Sequence, residues 1–262
     1  TTADTSLDAW AEYAIQQRLE GQDLQRLCKG TSSTKEVTIS FWVKSSLTGT
    51  YILEMLDDDN GSRHINKSYT INSANTWEYK TLTVPGDVSA TINNDNGAGL
   101  DLRWWLDAGS NWSSGTFATN WENTTNTNRV SATTGWLVSS NPTWHITGVQ
   151  LELGEQATPF EHRSFGDELA KCQRYYYYSG FGFNNPGGTD SGSTDYEGQI
   201  FSVHIGSNRH TFFGSFPVFL RGLPTLTFYS PHDGASANAE NYTGGGNISI
   251  SASYSRSRQG LG

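Results

Sequence analysis

The sequence has 262 residues, 17 Lys and Arg against 26 Asp and Glu, and a formal net charge of −9. That length holds one large β domain or two medium ones with a real core. The charge excludes a general nucleic-acid surface, which needs clustered Lys and Arg to replace phosphate counterions. No apolar run approaches the ~20 residues of a membrane-spanning helix. Only 16% of residues are charged, yet mean hydropathy is −0.54, so Ser, Thr, Asn and Gly supply the polarity. With 13% aromatics and 9 Trp, the composition favours strands and turns over helices.

In chain order, the opening segment reads two ways: Trp10, Tyr13, Ala14 and Gln17 have helical spacing, while Tyr13, Ile15, Gln17 and Leu19 alternate as in a strand, and the expected element is a strand that ends at Gly21. A short helical turn through Leu24, Leu27 and Cys28 follows, closed by Gly30. Val37 to Lys44 is the clearest strand: Val37, Ile39, Phe41 and Val43 face one way, and Thr38, Ser40, Trp42 and Lys44 the other. Tyr51 to Leu56 is a second strand, and Asp57 to Gly61 makes a tight reversal. Trp77 to Val84 alternates again and stops at Pro85-Gly86. Leu100, Leu102, Trp104 and Leu106 share one side of the next strand, opposite Asp101, Arg103, Trp105 and Asp107. Ala108 to Thr134 is a long polar stretch carrying Trp112, Phe117 and Trp121; so long a loop is usually functional or disordered. Strands resume near Trp136 and from Trp144 to Leu153.

Beyond this point the character changes. Ser164 is placed to cap a helix, with Asp167 reaching back to it and Leu169 and Cys172 supplying apolar contacts. Tyr175 to Tyr178 follow, expected to alternate sides of a strand, and then a Gly/Asn/Ser/Thr loop from Gly180 to Thr194. Further strands are expected near Gln199 to Ile205, His210 to Phe213, Pro217 to Leu220, Thr225 to Tyr229 and Ile248 to Tyr254. The pattern predicts an all-β protein in three parts. Residues 1–160 form a jelly-roll β-sandwich, 161–174 a helical connector, and 175–262 a smaller β-sandwich domain. Cys28 and Cys172 are expected as isolated buried thiols, too few for a disulfide scaffold.

Ile15 to Gly21 followed by Val37 to Lys44 resembles the opening of the carbohydrate-binding-like jelly rolls of bacteriophage tail fibres. Ile146 to Gly154, then Ala157 to Ser164, resembles the closing strand and exit of that domain. Cys172 to Tyr176, with Pro217 to Arg221 and Leu223 to Thr225, is similar to the small β module that follows in phage tail and virion proteins. The resemblance implies a non-catalytic tail component of the virion, assembled in the host cytoplasm. Its implied partners are two more copies of itself in a homotrimer, other virion tail proteins and a host-surface glycan. A purely structural virion subunit is the alternative, and a polysaccharide-degrading tailspike a more distant one.

Glycan binding needs flat rings to stack on sugar faces, and amide, carboxylate or guanidinium groups for the hydroxyls. Arg103, Trp105 and Asp107 offer that mixture on one strand face. Asn111, Trp112, Trp121 and Glu122 offer it in the loop. The competing reading buries these tryptophans between sheets or at a subunit contact. Trp42 is expected at such an interface or between sheets. No metal-ligand spacing or catalytic motif occurs, and no cofactor is expected, although Ca²⁺ at an irregular site near Asp57, Asp58 and Asp59 stays open. The start at Thr1 and the end at Leu261-Gly262 are read as those of a fragment or processed chain.

Overall fold

This computed structural model describes residues 7–131, 134–177, 201–204, 210–213, 216–222, 225, 238–241 and 246–249. The chain divides into two units, Thr1–His162 and Arg163–Gly262. In the first, β1 (Glu12–Glu20) runs into a 3₁₀ turn at Gly21–Leu27, and Cys28 closes that turn in the left-handed region. Then come β2 (Val37–Ser45), β3 (Gly49–Asp57), β4 (Arg63–Ile71), β5 (Glu78–Val84) and β6 (Ala98–Ala108). The expected polar stretch holds a one-turn helix, α1 (Ser110–Ser113), and a two-residue strand, β7 (Glu122–Asn123). β8 (Trp144–Leu153) ends the unit's strands. The sequence reading had no counterpart for β4, whose His64, Asn66 and Lys67 dilute the apolar alternation. No strand forms at Trp136; it lies in a turn and packs against the core.

Two antiparallel sheets result, ordered β1-β6-β3-β4-β7 and β5-β2-β8, so the fold is all-β as expected. Their facing sides share one apolar core, into which Ile39, Phe41 and Val43 of β2 are fully buried. Phe41 reaches the other sheet edge-on, 5.2 Å from Tyr69 and 5.9 Å from Trp104. The 3₁₀ turn lies against β6 where neither chain carries a side chain. A Cβ on Gly99 would stand 2.8 Å from Gly21 Cα and 2.9 Å from Leu24 Cδ1. Gly99→Ala is therefore expected to destabilise by about 1–3 kcal/mol through overpacking. The readout is a lower urea midpoint at unchanged slope.

The second unit opens with α2 (Phe165–Gln173), the helix expected from its cap. The Asp167 amide donates to Ser164 Oγ at 3.2 Å, and the Ser164 hydroxyl donates to Asp167 Oδ2 at 2.7 Å. Two hairpins follow, β9 (Phe201–His204) with β10 (His210–Phe213), and β11 (Asn238–Asn241) with β12 (Gly246–Ser249). Pro217 to Leu220 is not a strand; it lies in a bend and pairs with no strand among the described residues. Tyr175 to Tyr177 leave the helix in a turn rather than alternating along a strand. The expected strands beyond Thr225 and Ser249, and Tyr178, lie outside the described residues. The thiols are not buried: Cys28 is half-buried in its turn and Cys172 is exposed on α2.

Candidate ligand-binding surface

The five-stranded sheet turns one face to the core and the other outward. Register lines the outward side chains up in rungs. Gln16, Arg103, Glu54 and Asn66 form one; Arg18, Asp101, Leu56 and His64 the next; Ala14, Trp105, Ile52 and Ser68 the third. The polar stretch after β6 folds across these rungs as a lid. The Asn66 amide donates to Ala118 O at 2.8 Å, and Asn66 Nδ2 donates to Asn128 O at 3.0 Å. Val130 and Phe117 of the lid pack with Ile52, Trp105 and Trp112 in a small second core.

Glu54 lies at the centre, fully buried. Arg129 of the lid grips it through both oxygens, donating from Nε at 2.6 Å and Nη2 at 2.7 Å. Trp105 Nε1 donates to it at 2.9 Å, and His64 Nδ1 lies 3.2 Å away. Burial pushes the Glu54 carboxyl up, but hydrogen bonds from His64, Arg129 and Trp105 and the Arg129 charge outweigh it, and the net shift is downward. The group is a saturated anion that fastens lid to sheet. Asp101 on the same face shifts upward, because burial and the Asp58 charge outweigh Arg18, Arg103 and a hydrogen bond from Gln16.

The expected site residues separate into two groups. Arg103, Trp105, Asn111 and Trp112 come together at the β1 corner. Trp105 is only 2% exposed, flanked by Arg103 at 5.7 Å, Arg129 at 5.3 Å and the Trp112 ring at 5.8 Å. It takes the buried alternative, because the lid supplies the second layer that the strand pattern does not reveal. Asp107 is buried too, accepting from the Ala108 and Leu137 amides at 2.9 Å each. Trp121 and Glu122 lie elsewhere. Trp121 donates to Pro85 O at 2.7 Å and packs on the main core, while Glu122 meets His64 Nε2 at 3.3 Å and Asn128 Nδ2 at 2.8 Å.

What the β1 corner exposes is Trp10, which the sequence reading weighed only for periodicity. Its ring meets Trp112 edge-on at 5.9 Å and is 64% exposed. Trp112 Nε1 donates to Trp10 O at 3.3 Å. Glu12 pairs with Arg103 at 2.5 Å, and Gln16 lies two residues beyond Ala14 on the same strand. Trp10 stands out in the sequence only through its type; joining it to Trp112 takes the tertiary fold.

At one end of the core two of the three turn aspartates expected for Ca²⁺, Asp57 and Asp59, are engaged internally, while Asp58 is exposed. The Lys29 ammonium, 4% exposed, bonds Asp57 Oδ2 and lies 3.2 Å from Asp87 Oδ2. It also donates to Ser89 O at 3.2 Å and Ala90 O at 2.8 Å. Asp59 accepts from Asn93. A cavity of about 10 Å³ beside this cluster has room for one water. Among the described residues no group of three His, Cys, Asp or Glu is placed to hold a metal, and no helix is long and apolar enough to cross a membrane. Comparison with protein-family models, curated proteins and solved structures finds no match.

Proposed function

We propose that this chain is a non-catalytic attachment protein of a phage-type virion tail, a homotrimeric fibre subunit whose first unit is a jelly-roll module holding host-surface glycan. The observation that carries the reading is the Trp10 corner: one ring standing 64% free in water, braced edge-on by Trp112. A sugar's apolar face stacks on a flat exposed ring of this kind. Glu12, two residues on in the chain, and Asn111, whose backbone amide donates to Ala9 O at 2.9 Å, carry groups that bond hydroxyls. Arg103, held by Glu12 and flanking Trp105, is a positioning residue for those groups. Three such shallow contacts tied by symmetry give high avidity without a deep pocket.

Glycan titration followed by tryptophan fluorescence tests it, using host-surface oligosaccharides and the full chain. Trp10→Ala is expected to weaken binding about tenfold per site, the loss of a stacking contact worth about 1.4 kcal/mol. Binding unchanged in both Trp10→Ala and Trp112→Ala removes the site. A stable monomer by sedimentation at micromolar concentration removes the trimer.

A further inference from the structure

The outward face of the three-stranded sheet carries a second aromatic surface, on the opposite sheet from Trp10. Trp42 of β2 stands directly across from Tyr79 of β5, with ring centroids 5.4 Å apart, and each is 44% exposed. This exposure corrects one expectation for Trp42, since packing between the sheets is the role its neighbours Phe41 and Val43 take. One step along, Lys44 pairs with His145 of β8, and its ammonium sits 5.2 Å above the ring of Trp77. Trp77 is itself 41% exposed.

The exit of the unit completes the surface. Residues 158–161 lie back along β8, held where the Glu161 amide donates to Gln150 Oε1 at 2.9 Å and the Thr158 amide to Glu152 Oε2 at 3.0 Å. This brings Phe160, 43% exposed, beside the sheet, edge-on to His162 at 5.0 Å. Between Phe160 and Trp42 lies Gly148. A Cβ there would touch Trp42 Cδ1 at 3.5 Å and Phe160 Cδ2 at 3.8 Å, so any side chain at 148 would fill the notch between the rings. Its φ of +59° in a bulge of β8 keeps the position for glycine.

A cross-strand aromatic pair by itself is ordinary sheet stabilisation. Here four exposed rings and a notch adjoin Lys44, which has no carboxylate within ion-pair distance among the described residues, and two imidazoles. In a chain of net charge −9, Lys44 places a cation at one end of this aromatic face, away from Glu152 and Glu161 at the other, and so favours an approaching anion there. We propose that this face binds an anionic saccharide, with Trp42, Tyr79 and Phe160 stacking on its rings and Lys44 meeting its carboxylate or sulfate. The site stands independently of the Trp10 corner.

The test is titration of the full chain with three probes, tetragalacturonate, oligosialate and a heparin tetrasaccharide, against neutral cellotetraose. At least one anionic probe is expected to bind at least tenfold tighter than cellotetraose. Trp42→Ala is expected to remove that binding tenfold or more, and Lys44→Gln to abolish the preference for charge. Trp42 is on the surface, so an unaltered melting curve certifies the variant's fold. No binding of any anionic probe at millimolar concentration overturns the proposal, as does equal binding by Trp42→Ala. Self-association abolished by Trp42→Ala overturns it too, in favour of a contact between copies.

Discussion

Arg129→Met is expected to lower the unfolding free energy by about 3–5 kcal/mol at neutral pH, because it strands Glu54 as a buried carboxylate without its counter-ion. Glu54 is fully buried and Arg129 6% exposed at the side chain, so water cannot replace the lost pairing. The lid loses its anchor at the same time. Proteolysis between Ala108 and Val130 is expected to speed up more than global unfolding accounts for.

The pH dependence has a definite sign. The folded-state pKa of Glu54 lies below its ordinary value of 4.5, so its contribution to stability is fully present above that value. It is lost as the pH falls through the lower, folded-state pKa. In the variant, burial without the guanidinium drives the carboxyl upward, so acid neutralises it and relieves the strain. The gap between parent and variant should therefore begin to narrow above pH 4.5, where the variant's raised carboxyl takes up its proton, and go on narrowing down to the parent's lowered folded-state pKa. Urea midpoints of both proteins across acid pH measure it. A gap that widens in acid would show that Glu54 is not the group left unpaired.

Lys29→Met is expected to cost a similar ~3–5 kcal/mol at neutral pH, since it removes the ammonium on which Asp57 and Asp87 converge. Asp87 keeps part of its compensation, because Arg63 donates to it from Nε at 2.7 Å and Nη2 at 3.2 Å. Burial raises the Asp87 carboxyl, yet bonds from Arg63, the Ser89 amide and Lys29 bring it below its ordinary 3.8. Among the described residues Asp57 has no second cation, so Asp57→Asn in the Lys29→Met background should recover stability, whereas in the parent it should cost. A double-mutant cycle in chemical denaturation reads this coupling directly. Additive effects would mean that the two groups do not form a pair in solution.

Much of the frame is legible in the chain. Val37 to Lys44 alternates without a break, and its apolar set is buried in β2, although Thr38 and Ser40 on the other side are covered as well. Ser164 and Asp167 mark the start of α2, and the β1 strand with its glycine-bounded turn reads off from Tyr13 to Gly30. β4 is less legible because its outward His64 and Asn66 are polar residues that nevertheless become fully buried. Alternation signals burial on one side only; a strand covered by polar lid contacts gives no such signal.

The site was legible as residue types but not as a place. Arg103, Trp105 and Trp112 stood out as ring and hydrogen-bonding groups, while Trp10, Glu12 and Glu54 joined them only through pairing across β1, β6 and β3. Trp42 and Trp105 occupy equivalent polar-side positions in strands of the same pattern. One is 44% exposed and the other 2%.

The amino-acid order by itself determined that strands form, where the clearest of them lie and which side of β2 and β6 is apolar, because side chains alternate with a period of two whatever surrounds them. Only the tertiary structure decided what covers the opposite side. On β6 it is a lid locked by the Arg129 bond to Glu54, and on β2 Thr38 and Ser40 are covered while Trp42 meets water. That outcome depends on strand order, register and the path of a long loop, contacts between residues 75 positions apart that no local pattern encodes.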